Sequence, residues 1–188
     1  FINRTFISTD SRKYKNEALK FKIEVPFLRT KKNSRDKSTD FDVINEFIKS
    51  IYALEKKIPK CLVYLRPTSP LRKSEIIDKA IIKFKKLKNY DSLVSVHEMA
   101  EPAYKKYVIK NKNLKSVIPN FSIDRSNEPR QNFPKTYTLN GYIDIIKTQN
   151  IFKNKYLNKK SFPFIIQKTI DIDDINDFKL AKKIYENK

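Results

Sequence analysis

One glycine, one cysteine and one histidine serve a chain of 188 residues. The single glycine, Gly141, excludes a glycine-rich phosphate loop of the kind that nucleotide-binding α/β domains place at a helix N-terminus. Either the chain does not handle nucleotides, or that loop lies outside the residues given. One cysteine excludes an internal disulfide framework, and with one histidine there is no Cys/His zinc site. No apolar run is long enough to cross a bilayer, and no signal-peptide pattern opens the chain. A cytoplasmic location and no membrane partner are the expectations that follow.

Positive charge is what the chain has in excess. A net charge of +20 raises nucleic acid as a partner. The lysines, however, are scattered among asparagine and isoleucine rather than gathered into a stripe, and no RNA- or DNA-binding motif accompanies them. A basic nucleic-acid-binding domain is therefore the alternative to an enzyme, and it rests on electrostatics alone.

The most specific stretch runs from Cys61 to Arg72, C-L-V-Y-L-R-P-T-S-P-L-R. Cys61 to Leu65 has the length and apolarity of a strand buried on both faces of a sheet. Pro67 and Pro70 end it, because proline has no backbone donor for a central strand. Thr68 and Ser69 lie between the prolines, with Arg66 and Arg72 on either side. Open α/β sheets place ligands at the carboxyl ends of their strands. Two guanidiniums there favour a planar anion such as a carboxylate or phosphate. A plain surface turn carrying two arginines is the competing reading.

Periodicity orders the rest of the chain. Arg4 to Ser8 reads as a strand, Arg12 to Lys20 as a helix and Ile23 to Val25 as a short strand. Phe41, Ile44, Phe47, Ile48, Ile51 and Leu54 recur at helical spacing and predict a helix from about Asp40 to Lys56, with Ser38 or Thr39 as its cap. Ser74 opens a helix that buries Ile76, Ile77, Ala80, Ile81 and Phe84. Ser92 to Val96 reads as a strand leading to His97-Glu98, and the segment from Tyr104 to Ile118 as a hairpin-like excursion. Asp171 and Asp173, two apart at the end of an apolar strand from Phe164 to Ile170, point to one face of an extended chain. Two hard oxygen ligands on one face suit Mg²⁺ with phosphates completing its shell. Asp174, three residues before Asp177, is the better cap for the final helix, which carries Phe178, Ala181 and Ile184.

L-R-P-T-S-P-L-R resembles the L-Q-P-T-S-P-L-R signature of bacterial acylneuraminate cytidylyltransferases, the CMP-sialic acid synthetase family. The I-S-T-D-S of Ile7 to Ser11, the V-P-F-L-R of Val25 to Arg29, the R-Q-x-x-P of Arg130 to Pro134, the Asn140-Gly141 pair and the D-I-D of Asp171 to Asp173 resemble family segments in the same order. The resemblance implies a Rossmann-like α/β nucleotidyltransferase sheet in a single domain over 1–188. It also implies an excursion at about 98–135 for dimerisation and sugar binding, and a homodimer. In the family, the first strand and a basic, glycine-containing nucleotide loop precede the matching region. The chain is accordingly expected to be truncated at its N-terminus, and inactive without that segment.

By the same resemblance Arg29, Thr39, Thr68 and Ser69 would bind the nucleotide. Arg66, Arg72, Arg130, Gln131 and Asn140 would bind the sugar acid. Asp171 and Asp173 would hold the catalytic Mg²⁺. The implied reaction transfers CMP from CTP to a nine-carbon sugar acid and releases pyrophosphate. Arg66 stands where the sialic acid enzymes have glutamine, and Asp144 where many have tyrosine. Both positions are assigned to the sugar side, so sialic, legionaminic and pseudaminic acids all remain open. A 3-deoxy-manno-octulosonate enzyme fits less well, because that group carries an acidic residue where this chain has Thr68-Ser69.

Overall fold

The computed structural model describes residues 1–187 and resolves into two compact units. The first comprises Phe1–Tyr64, Ser74–Leu93 and Asp144–Phe162; the second comprises Leu65–Lys73, Val94–Ile143 and the residues from Pro163 onward. In chain order the elements are α1 (Arg12–Lys20), α2 (Asp40–Glu55), β1 (Cys61–Tyr64), α3 (Ser74–Lys86), β2 (Ser92–Glu98), β3 (Tyr107–Lys110), β4 (Asn113–Ser116), β5 (Tyr137–Lys147), α4 (Thr148–Phe152), β6 (Ser161–Ile165) and α5 (Ile175–Glu186). The fold is mixed α/β, with a four-stranded sheet ordered β1-β5-β2-β6 and a separate β3-β4 pair. Strands β5 and β2 each contribute residues to both units.

In the first unit, α2 follows its periodicity closely. Ile44, Ile48 and Ile51 are buried one turn apart. Ile44 and Ile48 join Ile146 of β5 and Ile151 of α4 in a core that Phe41, Phe47, Leu62, Tyr64 and Tyr156 pack against. Each such side chain contributes about 1.5–3 kcal/mol by leaving water. Thr39 starts the helix with a reciprocal cap: its hydroxyl accepts from the Asp42 amide at 3.2 Å, and its own amide donates to the Asp42 carboxylate at 2.9 Å. Thr39→Ala is expected to lower stability by about 1 kcal/mol, and Thr39→Ser to restore most of it, as read by denaturant unfolding.

Three local expectations change. Arg4–Ser8 and Ile23–Val25 do not form strands; one parallel bridge, Phe6 with Glu24, joins them. Arg4 pins that bridge by pairing with both Glu24 and Glu55. β1 pairs antiparallel with β5, from Cys61 opposite Lys147 to Tyr64 opposite Asp144. As the terminal strand of the described sheet it is half-buried with Cys61 exposed, not covered on both faces. The strands that are covered are β2 and β5, which lie inside the sheet and hold Leu93, Ile143 and Ile146.

In the second unit, the excursion is a hairpin. β3 and β4 pair from Tyr107 opposite Ser116 to Lys110 opposite Asn113, and Asn111 and Lys112 both take positive φ. Positive φ at both loop positions is the type I′ geometry that matches strand twist. In a chain with one glycine, asparagine and lysine fill most of the left-handed positions: Lys22, Lys56, Asn111, Lys112, Asn120 and Asn154. Near the hairpin, Tyr104, Phe121 and Phe133 form an aromatic cluster with ring centroids 5.2–5.9 Å apart. Asp174 caps α5, as its spacing to Asp177 predicts, accepting from the amides of Asn176 and Asp177.

Candidate active site

The P-T-S-P-L-R loop belongs to the second unit. Pro67 takes the second position of a turn that Ser69 closes by donating its amide to the Arg66 carbonyl at 3.4 Å. Beyond the turn, Arg72 reaches back into the chain. Its Nε donates to the Tyr142 carbonyl at 2.6 Å, Nη1 to the Ser69 carbonyl at 2.6 Å and Nη2 to the Gly141 carbonyl at 3.0 Å. The Lys73 amide completes the join by donating to the Tyr142 hydroxyl at 2.5 Å. By resemblance Arg72 would bind the sugar acid; in the structure its guanidinium joins the loop to the Asn140-Gly141-Tyr142 stretch of β5. A guanidinium fits that task because its planar fork serves several acceptors at once.

The loop also meets the D-I-D segment, which is distant in sequence. The Ile172 amide donates to the Thr68 carbonyl at 2.8 Å, and the Ser69 hydroxyl donates to Asp171 Oδ1 at 3.3 Å. Ser69 is 1% exposed. Asp171 is half-buried and Asp173 exposed. Their segment is not the extended strand foreseen: β6 stops at Ile165, and the docking against Thr68 holds the backbone instead. The Asp173 and Asp174 amides donate to Asp177, and Asp174 makes the cap, so neither Asp171 nor Asp173 has its carboxylate tied up in starting α5.

Gly141 has φ +63°, and a Cβ there would stand 3.3 Å from Cδ and Nη1 of Arg66. Both reasons for a glycine therefore apply: left-handed backbone and a side chain lying across it. Gly141→Ala is expected to cost about 1 kcal/mol or more from backbone strain, and to displace Arg66, as read by thermal unfolding. Asn140, beside it, is 7% exposed. Its side-chain oxygen accepts from the Tyr142 amide at 3.2 Å, which fixes the amide's orientation and leaves Nδ2 buried with no hydrogen-bond partner. A buried donor left unmade costs about 1–3 kcal/mol. A ligand acceptor would recover it.

Arg130 and Gln131 lie in a 3-10 turn, Arg130–Asn132, and line a cleft of 450 Å³ with Glu98, Met99, Phe133, Lys135 and Thr136. The backbone here is held by the Met99 amide on the Thr136 carbonyl and by the Ala103 amide on the Thr136 hydroxyl. Glu98 accepts from both Arg130 and Lys135. Lys135 first, then Arg130, hold its carboxyl below the usual range, and Glu98 in turn pushes Lys135 up. Glu98 and Lys135 were not singled out from sequence. Glu98 ends a strand, the place where α/β sheets put ligands, and that position was the available signal.

Arg29 and Thr39 lie in the first unit. Arg29 Nε donates to the Ser34 hydroxyl at 3.0 Å, and Nη2 is 3.8 Å from Asp10. The Thr39 hydroxyl is engaged in the α2 cap, donating to Asp42 at 2.7 Å. Nearby, burial pushes the Glu46 carboxyl up, but donors from Thr30 and Asn33 outweigh it and leave the pKa lowered. Asp144, read as facing the sugar, is 3% exposed in this unit and accepts from the Tyr156 hydroxyl at 2.6 Å. It is a buried carboxylate engaged with protein rather than the lining of an open cleft.

Within the second unit of this mixed α/β fold, the P-T-S-P-L-R loop meets both the Asn140-Gly141-Tyr142 stretch and the D-I-D segment. The chain belongs to the cytidylyltransferase family, whose pattern it matches over residues 1–188. It is 29% identical over 190 residues to the N-acylneuraminate cytidylyltransferase of Escherichia coli, covering 100% of this chain and 43% of that protein. It is 30% identical over 187 residues to the CMP-N,N'-diacetyllegionaminic acid synthase of Legionella pneumophila, covering 96% of this chain and 77% of that one. The chain thus spans less than half of the first relative's length. Among solved structures, CMP:2-keto-3-deoxy-manno-octonic acid synthetase complexed with CTP aligns with a TM-score of 0.67 at 11% identity, over 99% of this chain and 82% of that one. The 4-diphosphocytidyl-2C-methyl-D-erythritol synthase of Anaerococcus prevotii aligns with a TM-score of 0.57 at 11% identity, over 96% and 80%. At that identity the two show the fold: a Rossmann-like nucleotidyltransferase sheet.

Proposed function

We propose that the protein transfers CMP from CTP to a nonulosonic sugar acid, sialic, legionaminic or pseudaminic, and releases pyrophosphate. The observation that carries this reading is the docking of the P-T-S-P loop on the D-I-D segment, 102 positions away, with Ser69 on Asp171. That contact brings a hydroxyl-bearing loop and a carboxylate together in one unit of a cytidylyltransferase-family chain.

In the reaction, the anomeric hydroxyl of the acid attacks the α-phosphorus in line and pyrophosphate leaves. Arg130 and Gln131 bind the acid from their cleft, and Asn140 supplies its unpaired Nδ2 as a donor to a sugar oxygen. Thr68 and Ser69, in the second unit, bind the nucleotide. Arg72 contributes by holding the loop in shape, and catalysis rests mainly on positioning.

Among the described residues no cluster of three or more His, Cys, Asp or Glu is arranged to hold a metal. Asp171 and Asp173 with the Ser69 hydroxyl nonetheless fit Mg²⁺, which is commonly bound by one or two carboxylates plus substrate phosphates. When bound, the ion would neutralise charge on the phosphates. The protein groups fix where those phosphates lie.

The same reading makes the protein a cytoplasmic homodimer serving cell-surface polysaccharide synthesis. The β3-β4 hairpin supports a pairing role, because Val108, Ile109 and Leu114 are exposed on it, Ile109 by 77%. Pyrophosphate release by the full-length protein tests the reaction, with CTP, Mg²⁺ and each of the three acids in turn. Release that requires both CTP and one acid supports it. No release with any acid, beside salt-sensitive binding to random DNA, would favour the nucleic-acid alternative.

A further inference from the structure

Glu98, the last residue of β2, places one carboxylate oxygen on each of two cations. Oε1 accepts from Arg130 Nη2 at 2.9 Å, and Oε2 accepts from Lys135 Nζ at 2.8 Å. All three line the 450 Å³ cleft, and Glu98 also lines a second cleft of 400 Å³ with His97, Gln167 and Lys168. Stability does not account for the arrangement. The side chains keep 30% (Glu98), 54% (Arg130) and 69% (Lys135) of their exposure, and ion pairs that exposed add little. An arginine and a lysine converging on one point do, however, make a site for a planar anion. Glu98 already fills that site with a carboxylate.

We infer that Glu98 is a placeholder: it occupies the Arg130–Lys135 pair and is displaced when the carboxylate of the acid substrate binds, so that it sets the affinity for that acid. The identity of the acid rests on the function proposed above; the exchange of carboxylates does not. Replacing one carboxylate by another keeps the charge-assisted hydrogen bonds, so the exchange is close to neutral and the ligand competes only with a weak exposed pair. While the cleft is empty, the placeholder keeps two like charges from facing each other unpaired. Lys135 and Arg130 hold the Glu98 carboxyl below its usual range.

The test is Glu98→Gln, which removes the charge and keeps the shape. Acetate is titrated into full-length wild type and variant, followed by the NMR signal of the Arg130 Nε–H. N-acetylneuraminate and N,N'-diacetyllegionaminate, each as free acid and as methyl ester, are titrated by calorimetry. The variant is expected to bind acetate and the accepted free acid about fivefold more tightly, with KM for the acid falling by the same factor. The methyl ester, which carries no charge, should show no gain. Glu98→Asp, too short to span both cations, should fall between wild type and Gln and covers the case in which Gln fails to fold. Unchanged or weaker acetate binding in both folded variants overturns the inference and makes Glu98 a support for Arg130. A gain with acetate but no binding of either sugar acid leaves the placeholder standing and removes sialic and legionaminic acids from the sugar reading.

Discussion

Asp171→Asn and Asp173→Asn variants are expected to lose about 10²–10³-fold in kcat, the scale for removing one group that stabilises charge in the transition state. Their melting temperatures should stay at the wild-type value. The reason for the split lies in what each carboxylate touches. Asp171 meets the protein through the Ser69 hydroxyl at 3.3 Å, a contact that the amide oxygen of asparagine can keep. Asp173 is exposed, and the α5 cap is supplied by Asp174 with Asp177. Neither substitution removes a structural contact, yet each removes half of the negative charge that the proposed Mg²⁺ site would offer. The Mg²⁺ concentration giving half-maximal rate should rise in both variants. A parallel fall in stability and activity would show instead that the pair is structural.

Arg72→Ala should do the reverse and unfold the protein more than it slows it. Three carbonyls, of Ser69, Gly141 and Tyr142, receive their hydrogen bonds from one guanidinium. Losing the cation leaves acceptors on loop and strand without their charged donor, which costs about 3 kcal/mol. For a chain of this size that is a drop of roughly 10 °C in melting temperature. Arg72→Lys should not restore it, because an ammonium is a point donor and cannot span the three carbonyls. Had Arg72 faced the substrate, Lys would rescue part of the binding, and stability would barely change.

Much of this was legible in the residues. The α1 bounds, the stripe on α2, the hairpin excursion and the α5 cap all follow from local rules: periodicity, capping chemistry and turn residues. What local rules could not supply was non-local. Whether Cys61–Tyr64 is buried on both faces depends on which strands flank it, and here only β5 does in the described sheet. β6 ends at Ile165 with no proline or glycine after it to mark the stop, and the chain beyond docks Ile172 on Thr68. Arg66, Ser69, Asn140 and Asp171 could be proposed for the site from their motifs, whereas the bonds of Arg72 to backbone carbonyls could not be foreseen, since carbonyls leave no trace in the sequence. Glu98 and Lys135 escaped notice for a related reason. In so basic a chain, one more lysine says nothing until a fold sets it 2.8 Å from a carboxylate.

The measurement that tests the central claim most directly is the chemical identity of the product. Full-length protein is incubated with CTP, Mg²⁺ and a nonulosonic acid, and the mixture is examined by phosphorus NMR. The account predicts one phosphodiester resonance, from CMP joined to the acid's anomeric oxygen, growing in step with pyrophosphate. CMP or CDP growing with inorganic phosphate, or CTP left intact with every acid, would contradict it.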